Sequence, residues 1–209
     1  MIKYPYLIFF LIGVFSNSFS QKIIEREFDA TFILVIEISS DIVFNITITS
    51  EEINKIKIRT NIDGENFENV LLSIKENNGQ LSIAPEYSPY FEAKNDKLAA
   101  HKVIAIEMAL IVPENIEIII KSSLASLKAS GKYVSVKALL GTGNCMLENF
   151  SGDALIKTKQ GFIKVYADKS VYGIANSKKG TIINQLKYKG KYSIEAESFE
   201  GDISLFLIE

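Results

Sequence analysis

Cysteine, histidine and tryptophan are almost missing from this chain, which has one Cys, one His and no Trp in 209 residues. With Cys145 alone, no disulfide can close within the chain even in an oxidising compartment. A zinc site of the common kinds draws on several Cys and His side chains, which His101 and Cys145 do not supply. No metal or other cofactor is therefore expected. A lone cysteine in a strand-like stretch is expected as a small buried hydrophobe rather than a reactive thiol. A Ser–His–acid triad could use only His101, and no Gly-x-Ser-x-Gly turn is present to hold a strained, exposed serine. Beside Lys102 at the start of a strand pattern, His101 reads as a surface residue. Helical periodicity and Gly-rich phosphate loops are absent as well. The faint calcium-loop pattern at Asn61, Asp63 and Asn66 lacks the closing bidentate glutamate and reads as an Asp-Gly turn.

The N-terminal twenty residues do carry a signal. Lys3 precedes an apolar run from Tyr4 to Phe15, and small residues Ser18 and Ser20 stand before Gln21. That order is expected of a secretory signal peptide cleaved after Ser20. The run is shorter than the roughly 20 apolar residues of a spanning helix. The expected product is an exported protein of the periplasm, outer envelope or extracellular space, with no transmembrane helix after cleavage. With no cysteine near the cleavage point, a lipoprotein is not expected.

Charge is unevenly spread. Residues 21–120 carry 9 bases against 17 acids, whereas residues 121–192 carry 13 lysines against 3 acids. Such a basic stretch can mark a polyanion partner. It can equally be lysine placed on outward strand positions, where it discourages edge pairing. Beyond the lysines nothing points to nucleic acid.

Alternation of apolar and polar residues runs through the whole chain, as strands require. Ile42, Phe44, Ile46 and Ile48 alternate with Val43, Asn45, Thr47 and Thr49, and a longer run, Val103 to Val112, stops at Pro113. Turns are expected at Asn61 to Gly64 and at Asn77-Asn78-Gly79. Residues 21–112 are thus expected to form an antiparallel β domain with a long loop near Glu86 to Leu98. Beyond it, Gly141, Gly161, Gly180 and Gly201 stand 20, 19 and 21 residues apart, with Gly131, Gly152 and Gly190 near the midpoints. Two short strands per unit of about 20 residues are the signature of stacked coils, which bury their apolar positions only against neighbouring coils. Residues 113–209 are accordingly expected to form a short β-solenoid, making the protein all-β. One inner wall is predicted to hold Val136, Ile156, Ile174 and Ile194. The other is predicted to hold Cys145, Ile163, Val165, Ile182, Ile203 and Leu205.

The wording of these units, clearest in Gly152-Asp153 and in Gly201-Asp202-Ile203-Ser204-Leu205, resembles the exported putative-adhesin proteins of bacteria. The resemblance covers residues 100–209 best. It implies a non-catalytic structural or binding module of the envelope or cell surface, whose partner is an envelope protein or a glycan. The rival expectation is a glycoside hydrolase or lyase on a β-helix scaffold, which needs two carboxylates at fixed separation. Glu195 and Glu197 could flank a ligand, but they read more simply as solvated outer charge. Asp153 and Asp202, each beside a glycine, read as turn residues. Two candidate binding surfaces follow. One is the aromatic segment around Pro89, with Tyr87, Tyr90 and Phe91, which is costly to leave in water. The other is a lysine face with Lys157, Lys159 and Lys164.

Overall fold

A computed structural model describes residues 21–64, 67–89, 104–187 and 189–208. The expected signal peptide, Tyr90, Phe91 and His101 lie outside these residues. The described chain is all-β, with one short 3-10 turn at Phe67–Asn69.

The first six strands are β1 (Gln21–Asp29), β2 (Val35–Ser39), β3 (Asn45–Glu51), β4 (Lys55–Asp63), β5 (Val70–Asn77) and β6 (Gln80–Tyr87). Four more follow: β7 (Ala105–Pro113), β8 (Glu117–Ser122), β9 (Ser126–Leu140) and β10 (Cys145–Thr158). The last five are β11 (Ile163–Ala167), β12 (Val171–Ser177), β13 (Ile182–Asn184), β14 (Tyr192–Ser198) and β15 (Ile203–Leu207). All fifteen belong to one mixed sheet. The sheet curls because β9 and β10 are long and bent, and each serves two walls. Their first halves pair with β3 and β11, and their second halves with β8 and β14. One wall then runs β1-β4-β7-β3-β9-β10-β11-β15-β13. The other runs β5-β6-β2-β8-β9-β10-β14-β12. Side chains facing inward from both walls form a single core, rich in isoleucine. Burying each such side chain contributes about 1.5–3 kcal/mol, and β-branched residues fit the pleated surface.

The bends fall where the backbone needs glycine. Gly152 has φ +138°, and a Cβ there would lie 2.3 Å from the Tyr133 carbonyl oxygen of the neighbouring strand. Gly161 and Gly201 meet in the same way, a Cβ on Gly201 falling 1.7 Å from the Gly161 oxygen. The approximately 20-residue glycine period therefore marks corners where successive backbones touch. Tyr133 fills the bend between the walls. Its hydroxyl donates to the carbonyls of Ile48 (3.1 Å) and Ser130 (2.8 Å), and its ring stacks on Phe150 at 5.9 Å.

Several expectations need correction. Pairing in the first half is mixed, not antiparallel throughout. β1–β4, β4–β7 and β5–β6 are antiparallel, but β2 pairs parallel with β6 and β8, and β3 with β7 and β9. The Asn61 to Gly64 turn signal is largely strand, since β4 runs to Asp63. By contrast Asn78 (φ 49°) and Gly79 (φ 79°) form the two-residue turn of the β5–β6 hairpin, both with the positive φ that such turns require. Val43 is buried and Phe44 exposed, because the inward–outward phase resets just before β3.

The order of the C-terminal units also differs from a stack in chain order. β14 and β15 pair with β10 and β11, and β12 and β13 pair in turn with β14 and β15. The last unit in sequence is thus inserted, and the unit before it forms the end of the sheet. Ile174 and Ile182 are exposed in consequence (55% and 44%), whereas the other eight residues assigned inward are buried. In β12 the inward register position opposite Ile194 is Gly173, so Ile174 beside Glu195 faces out. Ile182 sits opposite Ile203 on the edge strand, and among the described residues no further strand lies beyond it to cover it. The end is closed instead by Leu186, which is buried. Its carbonyl accepts the Gly173 N–H at 2.7 Å, while the Asn184 amide donates to the Gly173 carbonyl at 2.7 Å.

Candidate functional site

At the C-terminal ends of the β2, β8, β9, β10, β14 and β12 strands the chain turns from one wall to the other. The corner is built by hydroxyls. Ser122 accepts the Ala125 N–H (2.9 Å), Ser198 the Gly201 N–H (2.8 Å) and Ser177 the Gly180 N–H (2.9 Å). Each such bond replaces a backbone partner lost where the strand ends. Acids then clip one unit to the next. Asp41 accepts from the N–H of Ser123 (3.0 Å) and Asp202 from that of Thr181 (2.7 Å). Asp153 plays the same part for Ser193 at the opposite corner (2.8 Å). The turn role expected of Asp153 and Asp202 is therefore a cross-unit one.

Along this corner lies an open groove of about 820 Å³. Its floor is one outward row in strand register: Ser39, Lys121, Leu139, Lys157, Glu197 and Asn176. Lys159, Lys178 and Phe199 stand at its rim. The row exists because strand side chains alternate, so every second residue of each rung points outward at the same height. Lys157 meets Glu197 at 2.7 Å, and Lys121 meets Glu37 at 2.6 Å just beyond the row. The Lys157–Glu197 pair is well exposed, and such pairs contribute only about 0–1 kcal/mol, whereas Glu37 is partly covered. Lys178 and Lys179 stand over the Phe199 ring, 4.8 and 5.0 Å from its centroid, and Lys179 is also paired with Glu200. Among the described residues, Lys159 and Lys178 have no carboxylate within ion-pair distance. The groove thus offers four ammonium groups and one aromatic face against two carboxylates.

Those carboxylates do not suit acid catalysis. A glycosidase needs one carboxyl whose pKa is raised so that it can protonate the leaving group. The Ser123 hydroxyl and N–H hold the Asp41 carboxyl below its ordinary value. Glu197 is engaged by Lys157. Cys145 is fully buried, and burial pushes its thiol up to about 12, so it is no nucleophile near neutral pH.

Of the candidate residues, the structure brings Lys157 and Lys159 together in this groove. Lys164 stands on the other wall, in β11, with its ammonium 5.7 Å from the Phe162 ring. Tyr87 ends β6 rather than lying in a loop, paired in register with Val70 and 37% exposed. The Ser40 hydroxyl donates to the Pro85 carbonyl at 3.0 Å, which ties the end of β6 to the same corner. Lys121, Lys178 and Phe199 were missed by sequence reasoning. They are far apart in the chain, and only the inserted order of β14 and β15 puts Phe199 beside the Lys157–Lys159 stretch, its N–H donating to the Thr158 carbonyl at 3.1 Å.

No protein-family model and no curated protein sequence matches the chain. Among solved structures, it resembles a putative cell adhesion protein from Clostridium sporogenes, with TM-score 0.62 and 19% identity over 88% of this chain and 98% of that one. It also aligns with a putative adhesin from Bacteroides fragilis (TM-score 0.30, 14% identity, 88% and 97% covered). A putative lipid binding protein from Parabacteroides distasonis aligns as well (TM-score 0.34, 13% identity, 91% and 98% covered). The first of these likenesses shows a shared fold. Among the described residues no helix is long and apolar enough to cross a membrane.

Proposed function

We propose that this protein is an exported, non-catalytic binding module of the cell envelope or cell surface, of adhesin type, that holds an anionic polymer in the corner groove. The observation that carries this reading is the convergence of Lys121, Lys157, Lys159 and Lys178 on one open groove. The Phe199 face among them suits the flat side of a sugar ring, so an acidic glycan fits better than a bare polyphosphate. In this reading the parallel rungs of residues 113–209 act as a short solenoid, a rigid ledge built on residues 21–112. The shared fold with a protein bearing a cell adhesion name supports the class, and export supplies the place where such a ligand occurs.

Heparin serves as a defined anionic probe. Wild-type protein should be retained on a heparin column and released by salt, since exposed charges are screened beyond about 8 Å at physiological ionic strength. The variant Lys157→Glu/Lys159→Glu/Lys178→Glu should pass through unretained with an unchanged melting temperature. Lys164→Glu, on the other wall, is the control and should be retained. Equal retention of wild type and the triple variant would remove the groove from the account. Tyr87 gives the aromatic segment its own test, because the end of β6 borders this corner. Tyr87→Ala with Tyr90→Ala should weaken glycan binding without unfolding the chain if that segment extends the contact surface.

A further inference from the structure

The charges of the corner groove mark where it begins and ends. Its floor crosses the strands in register, from Lys121 of β8 through Leu139, Lys157 and Glu197 to Asn176 of β12. Lys159, Phe199 and Lys178 follow β10, β14 and β12, one outward position further along. Cations therefore occupy the rungs of β8, β10 and β12. The first and last of these rungs are four strand spacings apart, about 19–20 Å. Beyond β8 the next rung, β2, brings acid instead. Asp41 follows β2 and lines the groove, and Glu37 of β2 takes up the Lys121 ammonium at 2.6 Å. At the other end Asn176 and Lys178 are both exposed, and β12 pairs with β14 alone among the described strands. The other outward charges nearby, Lys137 and Glu195, sit one outward position back on β9 and β14 and do not line the groove. Lys179 and Glu200, in the corner turns, are paired with each other.

Resting on the reading of this groove as an acidic-glycan site, we infer that the ligand is a linear chain laid across the strands and read over about five consecutive sugar residues. A strand spacing is close to the length of one pyranose residue in an extended chain, so each rung meets one sugar. Ammonium groups on β8, β10 and β12 then meet alternate sugars of the bound stretch, and Leu139 and Phe199 face the sugars between. Asp41 sets one limit, because an acidic chain continued to the β2 rung meets a like charge there. At the β12 end a longer chain runs out into solvent, so the bound stretch belongs to a long polymer rather than to a small closed-off sugar. A short acidic fragment reaches only part of this frame. A longer one adds sugars that touch no cation, and charge outside the frame is screened beyond about 8 Å at physiological ionic strength.

Titration calorimetry at physiological salt, on the protein isolated from its own cells, tests this with heparin-derived di-, tetra-, hexa- and octasaccharides. Affinity should rise several-fold at each step up to the hexasaccharide and change little from there to the octasaccharide. Lys121→Gln removes the β8 cation and should end the rise at the tetrasaccharide, with an unchanged melting temperature. Ser39→Lys with Asp41→Asn exchanges the acid at the β2 rung for a cation and should carry the rise on to the octasaccharide. A disaccharide bound as tightly as the hexasaccharide would overturn the inference. So would wild-type affinity still climbing steeply at the octasaccharide, or a Lys121→Gln profile identical to that of the wild type. Those outcomes leave the anionic-polymer reading standing, because heparin fragments are bound in all of them. Failure of every fragment and of heparin itself would remove that reading, and this inference with it.

Discussion

The unit β12–β13 and the unit β14–β15 share one sequence design and have different fates. Each has two short strands joined at a glycine corner, and each offers isoleucines at the positions expected to face inward. In the inserted unit Ile194, Ala196, Ile203 and Leu205 are buried, whereas in the end unit Ile174 and Ile182 are exposed. The difference lies in what is stacked on them. A rung with neighbours on both sides buries its inward residues, whereas an end rung must close itself. The end unit does so with Gly173, which leaves room for Leu186 and the Leu205 side chain.

The comparison can be broken most forcefully at the inserted rung. Ile203→Asp places an unpaired charge in the core, at a cost of several kcal/mol against a total stability of roughly 5–15 kcal/mol. The C-terminal half should lose cooperative unfolding in a denaturant titration. Leu186→Ala should cost about 2 kcal/mol or more by opening the end of the core. Hydrogen exchange should locate that loss in β12 and β13 rather than in β14. Gly201→Ala forces apart two touching backbones and should cost about 1–3 kcal/mol, measured as a lowered denaturation midpoint. Ile174→Asp, at the end rung, should change stability by less than about 1 kcal/mol. If Ile174→Asp proved as damaging as Ile203→Asp, the two units would have equivalent surroundings.

Cys145 supplies a pH test of the interior. Its folded thiol is raised from 9.0 to about 12 by burial, so the unfolded chain loses that proton first as pH rises. The stability this difference provides is complete below pH 9 and is lost as pH climbs toward 12. Cys145→Ala should lower stability near neutral pH and flatten that alkaline decline. The native thiol should resist alkylation at pH 8.5 and react on unfolding.

Much of this was legible in the sequence. Alternation revealed the strands, Asn78-Gly79 the hairpin, and the glycine period the corners, because each is a local requirement of backbone or side-chain direction. The inserted order was not, since periodicity defines a rung without saying which rung lies beside it. One signal was present. The end unit has Gly173 where its neighbour has Ile194 and is set in a lysine-rich stretch, as suits a sheet edge. The groove was half legible for the same reason. Lys157 and Lys159 are close in the chain, but Lys121, Lys178 and Phe199 join them only through pairing across distant strands.

The inserted order builds the groove, and paired cysteines test it directly. In a Cys145→Ala background, Leu155→Cys with Glu195→Cys places thiols on adjacent strands in register, outward and within reach of a disulfide. A disulfide needs Cα atoms about 4.4–6.8 Å apart. Leu155→Cys with Ile174→Cys places them two strands apart, at roughly twice the 4.7–4.9 Å strand spacing. Mild oxidation should cross-link the first pair quickly and leave the second as free thiols, read by mass spectrometry after alkylation. Cross-linking of the second pair but not the first would mean that the units stack in chain order, and the groove would not exist as described.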